Sequence, residues 1–240
     1  MLFDLRGRGK RRTIQAIYLF LAILLGGGLI FFGIGGGGGG GGLLNAVGQG
    51  GGGSSTNVFQ SEVTAARKRV TAAPKDAAAW AALANAQYEV AASGDGYDAS
   101  TESFTAKGKA GLSQARTSWN KYLSLNPKTP DADLANEMVR AFEPAQLNLP
   151  SDAVNAQEIV VSQNETSPDA YATLAVLAYL ASQSRKGDLA AAKAVSLEPK
   201  TSQATLKTQL ATDKTQAQAE VAAEAKQASG VGTTATLPGS

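Results

Sequence analysis

The side chains able to do chemistry are few in this chain. It contains no His and no Cys, which removes the commonest general base, the thiol nucleophile and the two main zinc ligands. No Ser/His/Asp or Cys/His arrangement can therefore form. Acids and lysines stand singly in Ala-rich stretches, the pattern of solvated helix faces. One group concentrates oxygen ligands: Asp95, Asp98 and Glu102 within residues 93–104. These could hold a hard cation, but their spacing lacks the regular acid positions of a calcium loop, so a solvated loop is the better reading. Arg67, Lys68 and Arg69 are consecutive. Helical neighbours point about 100° apart, so they fan outward and do not form a nucleic-acid patch. Asn164-Glu165-Thr166 matches a short, common glycosylation pattern. These residues argue against an enzyme and call for no cofactor or metal.

The elements that position the remaining residues begin at the membrane. Arg6, Arg8, Lys10, Arg11 and Arg12 precede the uncharged stretch 14–34, in which thirteen residues are Leu, Ile or Phe. As a helix those 21 residues would span about 31 Å, matching a hydrocarbon core of about 30 Å. At about −0.3 to −0.6 kcal/mol each, the thirteen contribute on the order of −4 to −8 kcal/mol to insertion. The basic flank keeps residues 1–13 cytoplasmic and sends the bulk of the chain outside. Gly33-Ile34-Gly35 would also suit a signal cleavage site, leaving a secreted protein, although the apolar stretch is longer than a signal core. Residues 1–13 carry five basic and one acidic residue, net +4; the other 17 basic and 19 acidic residues give −2. The sequence pI near 8.8 thus reflects the membrane flank and no nucleic-acid surface.

Residues 35–56 open on eight glycines and read as a flexible tether. A coil of that length has a root-mean-square span of about 26 Å. From 57 onward the composition turns Ala-rich, and prolines with short polar side chains punctuate it. The spacing predicts helices at 57–72, 76–92, 106–125, 131–144, 151–164, 168–183, 187–197 and 201–227, with no convincing β alternation. The expected organisation is a helical domain over 57–228 and a disordered tail over 229–240.

Within that domain AAAWAALANAQY (77–88) and ARTSWNKYLSLNP (115–127) resemble the two halves of a tetratricopeptide repeat. Trp80, Leu83, Ala84 and Tyr88 fill the first-helix positions. Ala115, Trp119, Tyr122, Leu125 and Pro127 fill the second. A weaker copy has Ala135, Met138, Val139 and Phe142, then Ala153, Ala156 and Val160. A third starts at Tyr171, Leu174 and Ala175 and closes through Ala194, Leu197 and Pro199. Here Gly187 and Ala191 replace the usual Ala and aromatic. The first copy is about 19 residues longer than the family's 34, the excess lying around 93–107.

Together with the apolar span and the Gly-rich linker, the resemblance implies an all-α chain: a transmembrane helix, a flexible linker, an α-solenoid of about three helix pairs, and a capping helix from 201. It also implies a partner-binding face on the first helices of the pairs: Ala81, Asn85, Tyr88 and Glu89; Asn136 and Arg140; Ala172, Val176 and Tyr179. The family's basic carboxylate clamp is not reproduced, since Ala81, Ala172 and Thr173 stand where Lys or Arg is expected. Tyr88 and Tyr179 would suit apolar or extended segments, unless they merely pack between repeats. The layout is similar to that of translocon-associated repeat proteins that work with prolyl-isomerase chaperones. It implies an inner-membrane protein with an extracytoplasmic binding module. Its partners would be translocon, chaperone or unfolded exported chains, and its lipid contact residues 14–34. A scaffold for envelope, division or secretion assemblies is the alternative.

Overall fold

Short polar side chains set the helix starts by accepting from free N–H groups of the first turn. Asp76 accepts from Ala78 N, Thr105 from Gly108 N, Asp131 from Asp133 N and Leu134 N, and Ser167 from Ala170 N. Pro150 and Pro168 occupy first-turn positions, where a missing N–H costs nothing. Past two helix ends, Asn126 and Ser182 take left-handed φ values of 50° and 60°, closing the helices as C′ residues do.

The computed structural model describes residues 54–230, with side-chain environments over 57–227. The expected span at 14–34, its basic flank Arg6, Arg8, Lys10, Arg11 and Arg12, and the glycine tether up to residue 53 lie outside the described residues. Among those described, no helix is long and apolar enough to cross a membrane.

Eight α-helices occur among the described residues: α1 (Ser54–Ala72), α2 (Ala77–Ala91), α3 (Ala106–Ser124), α4 (Ala132–Phe142), α5 (Pro150–Gln163), α6 (Pro168–Leu180), α7 (Ser184–Leu197) and α8 (Lys200–Gly230). Each answers to one predicted helix. Two ends differ. α1 starts three residues inside the expected tether, at Ser54, and α8 runs two residues into the expected tail.

Successive helices pack as pairs: α2 on α3, α4 on α5, α6 on α7. The pairs meet through α2 against α4 and α5 against α6. α1 packs on α2, and α8 on α6 and α7. One apolar core runs from Ala84 to Ala217. A smaller one, Ala66, Val70, Ala79 and Leu83, lies under α1. Alanines that are fully buried, such as Ala84, Ala115, Ala135, Ala153, Ala156 and Ala175, leave room for the large groups Trp119, Phe142, Leu112 and Met138.

The insertion between α2 and α3, expected as a solvated loop, keeps Asp95 and Glu102 exposed but is folded at its base. The helices stop at Ala91 and restart at Ala106. Between them a 3₁₀ turn (Gly94–Gly96) leads into a two-stranded antiparallel ribbon, β1 (Tyr97–Asp98) and β2 (Ser103–Phe104), pairing Tyr97 with Phe104 and Asp98 with Ser103. The cause is burial of Phe104, 8% exposed. Its ring packs at 5.3 Å from Tyr97 and 6.2 Å from Tyr88, and this apolar contact folds the loop back. Gly108 permits the approach, since a Cβ there would sit 1.9 Å from the Gly96 carbonyl oxygen.

Candidate partner-binding seam

The face expected to bind partners divides between two places. Asn85, Tyr88 and Glu89 lie on α2, one helical turn apart or adjacent, and α2 meets α4, which carries Asn136 and Arg140. Asn85 Nδ2 donates to both carboxylate oxygens of Glu137, at 3.1 and 3.3 Å. This bond ties α2 to α4 and commits the Asn85 amide within the protein. Ala81 is half-buried a turn earlier, Asn136 is half-buried beside Glu137, and Arg140 is exposed.

Electrostatics make this seam unusual. Burial pushes the Glu137 carboxyl up to about 8; the nearby Glu89 charge adds to the rise, and the Asn85 bond and Arg140 oppose it. Burial likewise raises Glu143 to about 7, with Arg140 opposing. Glu89 is raised by burial and by Glu62 of α1. Tyr88 is pushed up to about 12, mainly by burial, with Arg140 lowering it and Glu137, Glu89 and Glu143 raising it. Half-buried carboxylates that share one guanidinium are expensive to ionise together. The arrangement holds protons near neutrality and offers oxygen acceptors to a donor from outside.

Sequence reasoning missed Glu137 and Glu143. The available signal was Glu137-x-x-Arg140-x-x-Glu143, a polar stripe at three-residue spacing beside the apolar stripe Leu134, Ala135, Met138 and Phe142. Its meaning depends on which helix covers it, and that is a tertiary fact.

The third group of expected residues sits apart, on α6, which packs on α5, α7 and α8. Ala172 and Val176 are half-buried against the core. Tyr179 is 3% exposed. Its hydroxyl donates to Asp188 Oδ1 at 3.0 Å, and Lys214 of α8 lies 5.4 Å above its ring. Burial and the Asp188 bond push its hydroxyl up to about 12. Gly187 lies against the ring: a Cβ would come within 2.3 Å of it. Tyr179 is thus an internal pillar of the α6–α7–α8 contact, and Tyr88, 8% exposed, is also turned inward. Neither offers the open apolar surface that an extended-segment groove needs.

Of the residues singled out for repeat packing, Leu83, Ala84, Ala115, Trp119, Tyr122, Leu174 and Ala175 are buried. Trp80 is half-buried and donates its indole N–H to the Pro74 carbonyl at 2.9 Å. Tyr171 and Pro127 are half-buried, Tyr171 with Lys193 5.8 Å from its ring. The Tyr122 hydroxyl accepts from Asp131 N at 2.7 Å, tying the end of α3 to the start of α4.

The loop acids do not converge on a cation position. Asp95 pairs with Lys107 at 3.4 Å, both exposed, and Asp98 accepts from Ser100 N and Oγ at 2.9 and 2.6 Å. Those Ser100 bonds hold the Asp98 carboxyl below its ordinary range. Among the described residues no group of three His, Cys, Asp or Glu could hold a metal ion. Arg67 and Lys68 line an open depression on α1 with Thr64, Thr71 and Ala72, and Arg67 reaches Gln114 of α3 at 3.3 Å. Arg69 does not line it.

No protein-family model matches the chain, and no curated protein matches it in sequence.

Proposed function

We propose that this protein is a membrane-tethered, extracytoplasmic protein–protein interaction module of tetratricopeptide-like helix pairs, and not an enzyme. The basic flank, the apolar stretch 14–34 and the glycine tether support the anchoring. The tether would keep a binding surface within a few nanometres of the bilayer, raising its effective concentration for partners in or emerging from that membrane. The observation that carries the binding assignment is the Asn85–Glu137 bond. It sets the first helices of two successive pairs side by side, with the raised carboxyls of Glu137 and Glu89 between them.

That polar character refines the partner. With Tyr88 and Tyr179 turned inward, the seam suits a segment that brings N–H, ammonium or guanidinium donors more than a greasy unfolded chain. A scaffold for an envelope, division or secretion assembly therefore stands beside the chaperone–translocon role, with the donor-rich face of a fixed partner as its reason.

Photocrosslinkers at Asn136 and Arg140, in intact membranes, test this. Leu189, 66% exposed on α7, is the control position. Discrete protein adducts from the two seam positions and not from Leu189 are expected. Translocon components or exported chains among them would favour the first role, and a constant set of assembly proteins the second. Adducts from Leu189 alone, or none from either seam position, would overturn the assignment.

A further inference from the structure

The joint between the first pair (α2, α3) and the second (α4, α5) is held differently along its two edges. On the α3 edge, Arg116 Nε meets Asp152 Oδ2 of α5 at 2.7 Å. Lys109 Nζ donates to the Ala145 carbonyl at 2.8 Å, Phe104 N to Gln146 Oε1 at 3.3 Å, and Asp131 N to the Tyr122 hydroxyl at 2.7 Å. Most of these ties use a backbone group, and the first pairs an arginine with a carboxylate. On the α2 edge the Asn85 amide meets a carboxylate, Glu137, that is itself half-buried.

The charges facing Glu137 come from each neighbouring element. α2 brings Glu89 and Tyr88. α4 brings Asp131 from its N-cap and Arg140 from its last turn. Glu143 follows α4 and shares Arg140. α1 adds Glu62, which acts on Glu89. When all are ionised, Glu137 faces the Glu89 charge and shares the Arg140 guanidinium with Glu143, in a seam that solvates these carboxylates poorly.

We propose that this joint is a proton-operated hinge: when Glu137 loses its proton, the α2 edge of the first pair swings away from α4, while the α3 edge stays tied and acts as the pivot. Protonated, Glu137 still accepts from the Asn85 amide, and the seam closes as a neutral contact. Ionised, it draws water between the helices, because hydration is the cheapest way to lower the cost of a crowded carboxylate. Opening uncovers Tyr88 and the α4 face beneath it. The raised carboxyls of Glu137 and Glu143 place the change within reach of ordinary environmental pH. The hinge holds whatever the partner is, so its failure and that of the proposed function are separate results.

The absence of native cysteines makes the test direct. In the full-length chain, nitroxides are attached to Ala78→Cys and Asp133→Cys, exposed positions on α2 and α4. A second sample carries them at Thr117→Cys and Asn155→Cys, exposed on α3 and α5. Pulsed electron resonance then reads each distance at pH 6 and pH 9. The first distance should lengthen at pH 9 and the second stay constant. With Glu137→Gln the first should remain short at both pH values. Equal first distances in the unmodified background, the same lengthening in Glu137→Gln, or joint lengthening of both pairs would each overturn the hinge. The comparison of the two label pairs stands even where Glu137→Gln folds poorly.

Discussion

The two joints between helix pairs solve one packing problem with opposite chemistry. At the second joint, α5 packs on α6, and the two helices bury Val154, Val160, Val161, Leu174 and Leu177 in the shared apolar core. Its polar tie is neutral: Gln157, 3% exposed, donates to the Ala170 carbonyl at 2.9 Å. Charge is kept to the rim, where Lys186 of α7 meets Glu158 of α5 at 2.6 Å. The first joint puts its tie on a carboxylate and adds Glu89 and Glu143 nearby. A neutral amide–carbonyl pair is indifferent to pH. A half-buried carboxylate is not. The second joint is therefore a fixed connection, and the first is built to change state.

The comparison presupposes that the pairs themselves are rigid. Trp119, 2% exposed inside the first pair, carries much of that rigidity. Trp119→Ala should destabilise the chain by about 3–5 kcal/mol in urea unfolding, to the same extent at pH 5 and pH 8. A strongly pH-dependent loss would mean that the pair and the joint are not separable.

Next in size is the pH effect. Glu137 and Glu143 bind their protons more tightly in the folded chain, at about 8 and about 7, than at the ordinary value of 4.5. Between those limits the folded state holds more protons than the unfolded one, so stability falls as pH rises from about 4.5 to about 8 and then levels. Glu137→Gln removes the ionisable group. It should stabilise the chain by on the order of 2–3 kcal/mol at pH 8, change little at pH 5, and flatten the slope between. Unfolding midpoints across that range check this, and an unchanged slope would erase the distinction between the joints.

Gln157→Ala, at the second joint, should cost about 1–2 kcal/mol by removing the buried side chain and its bond to the Ala170 carbonyl, with no pH dependence. Smallest is Arg116→Ala. Its pair with Asp152 is partly solvated, with side chains 40% and 28% exposed, so the loss should be about 0.5 kcal/mol. The α3 edge should nevertheless become looser by amide hydrogen exchange in α5.

Much of this fold was legible because its punctuation is local. Pro74 with Asp76, Pro127, Pro150, and Ser167 with Pro168 mark helix ends through φ restriction and capping, which need no knowledge of the rest of the chain. The ribbon at 97–104 was not legible. Two-residue strands carry no alternation, and they exist because Phe104 finds Tyr88 and Tyr97 in three dimensions. Asn85, Tyr88, Glu89 and Arg140 could be named through the repeat resemblance, but the carboxylates Glu137 and Glu143 beside them could not. Glu137 reads as a solvated acid until α2 is laid over it. Tyr179 reads as a groove residue until Gly187, Asp188 and Lys214 enclose it.

The central claim is that the first joint turns on protons held by Glu137 and Glu143, whereas the second is tied by a neutral amide. Residue-resolved carboxyl-carbon titration of the full-length chain measures this directly. Glu137 and Glu143 should titrate near 8 and near 7, well above the ordinary carboxylate value of 4.5, and Glu137 should fall when Glu89 is replaced by Gln. Midpoints for Glu137 and Glu143 in the ordinary carboxylate range would contradict the account.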